Sequence, residues 1–289
     1  MTATVTTAPA LVGEGASARA SRWTAYLIVA IGALFMLAPF WFMFVFATHS
    51  RSEIYHLPPP VWFGDDLLTN FRLLTERIPF WRNLGWSVYV ALMATVLTLL
   101  FCSMAGYAFA LMEFRFKKPL FGLVMATMLL PQFMNMIPMF MIMDALGWID
   151  QQRALYVPGA ASAFGIFLMR QFATSAVPKE LVEAARMDGA GELRIFASII
   201  VPLLGPILAS LALFTFLGSW NDFMWPLIVL TDAHLQTLPV ALASLSREHV
   251  QDSELMMAGS VVTVLPVLVL FLALQKYYIQ GLLVGSVKG

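Results

Sequence analysis

Residues 83–112 read NLGWSVYVALMATVLTLLFCSMAGYAFALM, from Asn83 to Met112, and hold no Asp, Glu, Lys or Arg across 30 positions. About 20 predominantly apolar residues suffice for an α-helix to cross the hydrocarbon of a bilayer. An isolated strand there would leave backbone N–H and C=O groups unpaired, so the stretch is read as a spanning helix. Composition agrees. The 289-residue chain is 60% hydrophobic and 12% charged, about half the ~25% of a soluble domain, and its mean hydropathy is +0.80. Such a chain lacks both the polar surface of a soluble globule and the charge repulsion of a disordered one. Its 17 Lys+Arg balance 17 Asp+Glu, and the lack of a basic excess argues against nucleic acid as a partner. Membrane lipid is its solvent.

Working outward, further uncharged runs occupy Trp23–Thr48, Pro119–Met143, Ala154–Met169, Ile195–Asn221 and Leu255–Gln275. The Ala154–Met169 run is short and extends past a snorkelling Arg170. An apolar tail, Phe223–Leu230, follows the Ile195–Asn221 run. The expectation is an all-α membrane protein of six transmembrane helices over residues 22–289. Residues 1–21, rich in Ala, Thr and Gly without apolar periodicity, are read as a disordered tail. The first run is 26 residues long, beyond the ~7–15 of a signal-peptide core, and is kept as a true span. The lone Cys102 permits no internal disulfide or Cys-based zinc site and reads as a packing thiol. The methionines of the third run read as adaptable packing.

Six spans place both termini on one face, and Lys and Arg decide which. The face bearing the termini holds 11 basic residues and the opposite face 6, with the bias plainest in short turns such as 113–118. Both termini are therefore expected in the cytoplasm. The formal neutrality splits into +5 inside and −5 outside, counting Asp222 as outer. Outside lie two longer loops, about 49–82 with a stiff Pro58-Pro59-Pro60 piece and about 231–254; either is an ordinary connection or a docking surface for an extracytoplasmic partner.

The most informative connection is PKELVEAARMDGAGELRIFASIIVP, Pro178–Pro202. Pro178 suits the start of a helix, Lys179–Met187 is helical, Asp188-Gly189-Ala190-Gly191 turns, and Glu192 resumes a helix that enters the fifth run. Ala184 and Ala185 leave a shallow face that a partner could approach closely, and Glu183 and Arg186 offer charges for pairing. An amphipathic helix lying on anionic lipid would carry a basic face rather than this mixed one. A protein-docking element is the better reading.

This connection resembles the EAA signature of binding-protein-dependent ABC importer permeases, which runs EAA, three residues, Gly, nine residues, Ile-x-Leu-Pro. Here Glu183-Ala184-Ala185 precedes Gly189, and Ile199, Ile200, Val201 and Pro202 close the pattern with Val in the Leu position. The resemblance extends from about residue 24 to the end and is closest to the carbohydrate branch, the maltose-permease type. Tyr107-Ala108-Phe109-Ala110, Ile137-Pro138, Gly218–Leu227 and the ending Val287-Lys288-Gly289 contribute. It implies a type I importer transmembrane domain whose coupling loop, about residues 173–196, docks on a cytoplasmic ATPase. Glu183, Ala184, Ala185, Arg186, Asp188 and Gly189 would form that contact, with Glu183 pairing a basic residue and Gly189 making the corner. Lys288 would touch the ATPase as well. The implied partners are a second homologous permease, two ATPase subunits and an extracytoplasmic solute-binding protein. ATP and Mg would sit on the ATPase and no cofactor on this chain. The implied location is the bacterial inner membrane.

A solute path needs polar groups facing the bundle interior. Gln132 and Asn135 lie between Pro131 and Pro138, which remove backbone hydrogen bonds and can kink a helix. Trp220, Asn221 and Asp222 combine an aromatic face with amide and carboxylate, a pairing that suits sugars. Asn135 equally suits an interhelical hydrogen bond. No phosphate-binding Gly-rich loop occurs, and His49, His56, His234 and His249 all lie outside the runs. The competing classes are an ion-coupled secondary transporter, which usually carries mid-span carboxylates, and a membrane-embedded enzyme, which needs nucleophile and base buried together.

Overall fold

The computed structural model describes residues 16–246 and 252–286. Among these residues every regular element is a helix. α1 is Ala16–Ala47, α2 Arg51–Ile54, α3 Leu67–Arg77, α4 Phe80–Leu111 and α5 Lys117–Thr127. A 3-10 turn at Gln132–Asn135 precedes α6, Met136–Ala145. α7 is Arg153–Tyr156, α8 Ala163–Ala176, α9 Lys179–Met187 and α10 Glu192–Ile195. A π-turn at Phe196–Ile200 leads to α11, Val201–Leu203, and α12, Gly205–Trp220. α13 is Met224–Val229, α14 Leu238–Ser244 and α15 Ser253–Ser286.

Three stretches are long and apolar enough to cross a membrane: Arg22–Ala47, Phe80–Leu111 and Ser253–Ala273; a fourth is added if the bent pair Glu192–Leu203 and Gly205–Trp220 is taken as one span. The other expected spans are divided. The third run stops at Thr127 and restarts at Gln132, because Pro131 adopts an extended ψ of 128° and has no N–H to carry the helix through. The fourth run holds the four-residue α7 and the 14-residue α8. The fifth bends by 82° at Leu204, between Pro202 and Pro206, each at the second position of a new helix. α1 begins at Ala16, inside the 1–21 segment expected as a tail; Ala16–Ala20 contains three alanines and an arginine, all strong helix formers. Residues 1–15, 247–251 and 287–289, the last including Lys288, lie outside the described residues.

α4 is the central helix, packed against α8 and α12, while α1 and α3 pack on α15. Helices in lipid gain little from apolar burial, so close packing at small residues holds them together. A Cβ added at Gly106 of α4 would lie 2.5 Å from the Met169 Cβ and 2.9 Å from the Arg170 backbone N. One added at Gly165 of α8 would lie 2.7 Å from the Cys102 Sγ. The two helices touch through these glycines.

The segments expected as outer loops fold back onto the bundle. Asn70 of α3, buried, donates to the Ala47 and His49 carbonyls at 3.0 and 2.9 Å and so covers the end of α1. Trp41 donates to the Val61 carbonyl at 3.0 Å and packs edge-on against Phe63. Asn83, fully buried at the start of α4, donates to the Ala233 and Gln236 carbonyls, and Ser87 accepts from the Leu238 amide at 2.8 Å. Asp150, in the turn after α6, accepts at 2.6 Å from both the amide and the hydroxyl of Thr231 and at 3.1 Å from the Asp232 amide. These bonds gather the 49–82 and 231–246 segments and the 147–152 turn at one end of the bundle. α9 lies at the other.

Candidate functional site

α9 is amphipathic and half-docked. Val182, 2% exposed, enters a core with Ala173 and Val177 from the end of α8, Ile195 and Ile200 from the fifth run, and Tyr107 from α4. The opposite face, with Glu183, Ala184, Arg186, Met187 and Asp188, is exposed, and Ala185 is half-buried. Met187 is 84% exposed and Leu193 73%, an apolar surface with no partner among the described residues.

The end of α9 is a Schellman motif. Gly189 has φ +78°, its amide donates to the Arg186 carbonyl at 3.0 Å, and the Ala190 amide donates to the Ala185 carbonyl at 3.0 Å. Only glycine takes that φ without strain. The chain turns there and α10 begins at Glu192. That carboxylate fastens the corner: Oε1 accepts from the Arg186 Nε at 2.8 Å and Oε2 accepts from the Tyr107 hydroxyl at 2.6 Å. α9 is thus tied through α10 to α4 as well as to the fifth run. Arg186, expected to offer its charge to a partner, bonds Glu192 while its side chain stays 39% exposed. Hydrogen bonding to Glu192 raises the Arg186 pKa further, so the pair stays charged. Glu183, with Lys179, Arg186 and Glu192, faces a cavity of about 420 Å³ against the end of α4.

The expected solute-path residues separate. Asn135, at the end of the 3-10 turn, lines a cavity of about 280 Å³ with Met136, Met139, Leu155 and Trp225. The Trp225 indole N–H donates to the Ala154 carbonyl at 3.0 Å, which fixes the ring against α7. Asn221 lies at the edge of a second cavity, about 290 Å³, with Ser260 and Thr263 of α15. Trp220 borders the same cavity but is 3% exposed, stacked on Phe216 with ring centroids 5.7 Å apart. Its part is packing. Asp222 is half-buried and accepts from the Trp225 amide at 3.4 Å, capping the start of α13. Gln132 sits in the 3-10 turn, with its side chain outside the described residues. Trp225 lies within Gly218–Leu227; its only signal in the sequence is a second Trp beside Pro226, and its neighbours appear only once the third run breaks. No group of three or more His, Cys, Asp or Glu that could hold a metal occurs among the described residues.

An all-helical membrane bundle with a hydrogen-bonded, half-docked corner at one end and polar-edged cavities inside defines a class of transport subunit. Residues 102–284, more than half of the chain, match the family described as binding-protein-dependent transport system inner membrane component, and the chain belongs to that family. It is the permease subunit of an ABC importer, a transport component rather than an enzyme. It is 40% identical over 223 residues to the arabinooligosaccharides transport system permease protein AraQ of Halalkalibacterium halodurans, covering 77% of this chain and 80% of that one. It is 34% identical over 267 residues to the lactose transport system permease protein LacG of Rhizobium radiobacter, covering 91% and 95%. A solved chain of a bacterial ABC transporter involved in the import of the acidic polysaccharide alginate superposes with a TM-score of 0.80 at 24% identity, over 92% of this chain and 99% of that one, so the fold is shared.

Proposed function

We propose that this chain pairs with a second, related permease to form an alternating-access pathway for a sugar-like solute in the bacterial inner membrane. Residues 22–289 supply six spans, both termini face the cytoplasm, and the 170–194 segment lies on the same side as the basic 113–118 turn. Two ATPase subunits carrying ATP and Mg dock below, and a solute-binding protein docks above. The arabinooligosaccharide and lactose permeases among the relatives support a carbohydrate as substrate.

The observation that carries this reading is the corner. Glu183, Ala184 and Ala185 present a small-residue face with one carboxylate to the ATPase, Asp188 and Gly189 turn the chain, and Arg186 holds the turn through Glu192. A rigid connection lets a displacement of α9 tilt the fifth run and α4 together. Asn135 and the Trp225 ring supply an amide and an aromatic face to the 280 Å³ cavity, as a sugar ring requires. Asn221 supplies a second polar edge, and Gln132 and Asp222 lie close by in sequence.

The test is reconstitution of the chain in liposomes with its partner permease, the ATPase and the binding protein. Uptake of radiolabelled arabinooligosaccharide or lactose is expected only with internal ATP and external binding protein. Uptake by this chain alone, driven by an ion gradient, would overturn the proposal in favour of a secondary transporter.

A further inference from the structure

We propose that the cavity between the α4–α5 turn and α8 binds the phosphate of an anionic phospholipid headgroup. The cavity measures about 560 Å³, and its wall carries three cations, Lys117, Lys118 and Arg170, against one carboxylate, Glu113.

Arg170 is the central group. It sits in the middle of α8, after the apolar Ile166–Met169, and is half-buried. Its guanidinium lies 4.1 Å from the Phe121 ring centroid, and its Nε donates to the Phe109 carbonyl at 3.3 Å. These two contacts hold the fork in one orientation with its terminal nitrogens left over. No carboxylate pairs with Arg170 among the described residues. A partly buried guanidinium is costly without an anion, and its planar fork matches phosphate.

The other cations are arranged around it. Lys117 donates to the Met112 carbonyl at 2.6 Å and to Glu113 at 3.2 Å, which neutralises Glu113 and pins the turn. Lys118 makes no ion pair among the described residues. With Glu113 answered by Lys117, Lys118 and Arg170 remain for an incoming anion.

The surroundings favour a lipid over a free phosphate. α5 has no buried residue, and Leu120 and Leu123 on its surface are 45% and 63% exposed. They begin one turn from the cavity mouth at Phe116, itself 59% exposed. Acyl chains attached to a phosphate held by Arg170 would lie along this apolar strip, which a free ion would leave bare. The cavity is at the same end as α9, since Glu113 also borders the cavity beneath that helix. In the proposed orientation this is the cytoplasmic leaflet, where anionic headgroups meet basic residues. The proposal rests on the proposed membrane orientation and is independent of the sugar and coupling assignments.

The test uses the intact importer, purified in detergent with its partner subunits and stripped of lipid. Native mass spectrometry and thermal melting are followed on adding dioleoylphosphatidylglycerol, dioleoylphosphatidylcholine or inorganic phosphate. Phosphatidylglycerol is expected to be retained on this chain and to raise the melting temperature. Arg170→Gln and Lys118→Gln should each weaken retention by about fivefold, while melting as the wild type does in phosphatidylcholine. Equal stabilisation by phosphatidylcholine, or unchanged phosphatidylglycerol retention in both variants, would overturn the site. Stabilisation by inorganic phosphate matching that by the lipid would overturn the lipid assignment. Should Arg170→Gln fail to assemble, the surface variant Lys118→Gln carries the comparison alone.

Discussion

The Tyr107 hydroxyl, near the end of α4, donates a 2.6 Å hydrogen bond to the Glu192 carboxylate at the start of α10. This one bond joins the central helix to the corner that follows α9. Tyr107 is 3% exposed, so the bond lies at the margin of the core. A hydrogen bond to a charged group contributes about 1.5–3 kcal/mol. The companion pair, Arg186 to Glu192, is 39% and 45% exposed at its two side chains; solvent screens it to at most ~1 kcal/mol. The tyrosine is the stronger tether.

Tyr107→Phe should therefore assemble normally but transmit poorly. Glu192 keeps Arg186 as a partner, so no charge is stranded. The expected result is a lower ratio of solute imported to ATP hydrolysed, measured on the same proteoliposomes. An unchanged ratio would show that the tether does not matter to coupling.

Gly189→Asp should abolish uptake while leaving membrane expression intact. A Cβ at position 189 meets nothing within 4 Å, so no clash unfolds the protein. The cost is confined to φ +78°, about 1–2 kcal/mol for an L-residue, and the corner relaxes it by changing the angle between α9 and α10. Immunoblotting and ATP-driven uptake check this; near-normal uptake counts against the coupling role.

Gly106→Val should act in the opposite way, on assembly. Its side chain would run into Met169 and the Arg170 backbone, forcing α4 and α8 apart. Overpacking of this kind costs about 1–3 kcal/mol. The melting temperature of the purified importer should fall, and yield with it. A melting temperature equal to that of the wild type would show that α4 and α8 do not meet at Gly106.

Acidification should loosen the end opposite α9 through Asp150. Partial burial pulls its carboxyl up, but hydrogen bonds from Thr231 and Asp232 pull harder, and its pKa is lowered. A group with a depressed folded pKa stabilises fully above its unfolded value, about 3.9 for Asp. That stability is lost as pH falls through the lower folded value. Asp150→Asn should therefore melt lower at pH 7 and show a smaller further loss in the window below about pH 4. Parallel pH profiles for the two proteins would contradict the assignment.

Trp225→Ala and Asn135→Ala should raise the solute concentration for half-maximal uptake, since both face the 280 Å³ cavity. Trp220→Phe should leave it unchanged and lower the melting temperature, because Trp220 is stacked in the core on Phe216. If Trp220→Phe alters half-saturation and Trp225→Ala does not, the substrate path runs past α15 instead.

Several features were legible from residues 83–112 and 178–202 alone. An uncharged run of 30 residues has few options in lipid, and it forms α4 almost end to end. The spacing of Pro178, Glu183-Ala184-Ala185 and Gly189 specifies a short helix and a left-handed corner, because capping and φ > 0 are local backbone chemistry. The prolines of the third run announced a disturbance, though not that the run would divide at Pro131 or the fifth bend by 82°.

Tertiary structure decided the rest, since it depends on groups distant in sequence. Arg186 shows only a local charge in the sequence; in the fold it bonds Glu192, which Tyr107 holds from 85 residues away. Trp220 and Trp225 are five residues apart, on either side of Asn221 and Asp222, yet one is core and the other lines a cavity with Asn135, because the turn at Asn221–Phe223 sends α13 off toward α7. Hydrophobic length and local dihedral preference are properties of a segment and can be read along it. Which polar group a side chain meets is set by how segments pack, and in this protein that packing runs through Gly106, Gly165 and the bend at Leu204.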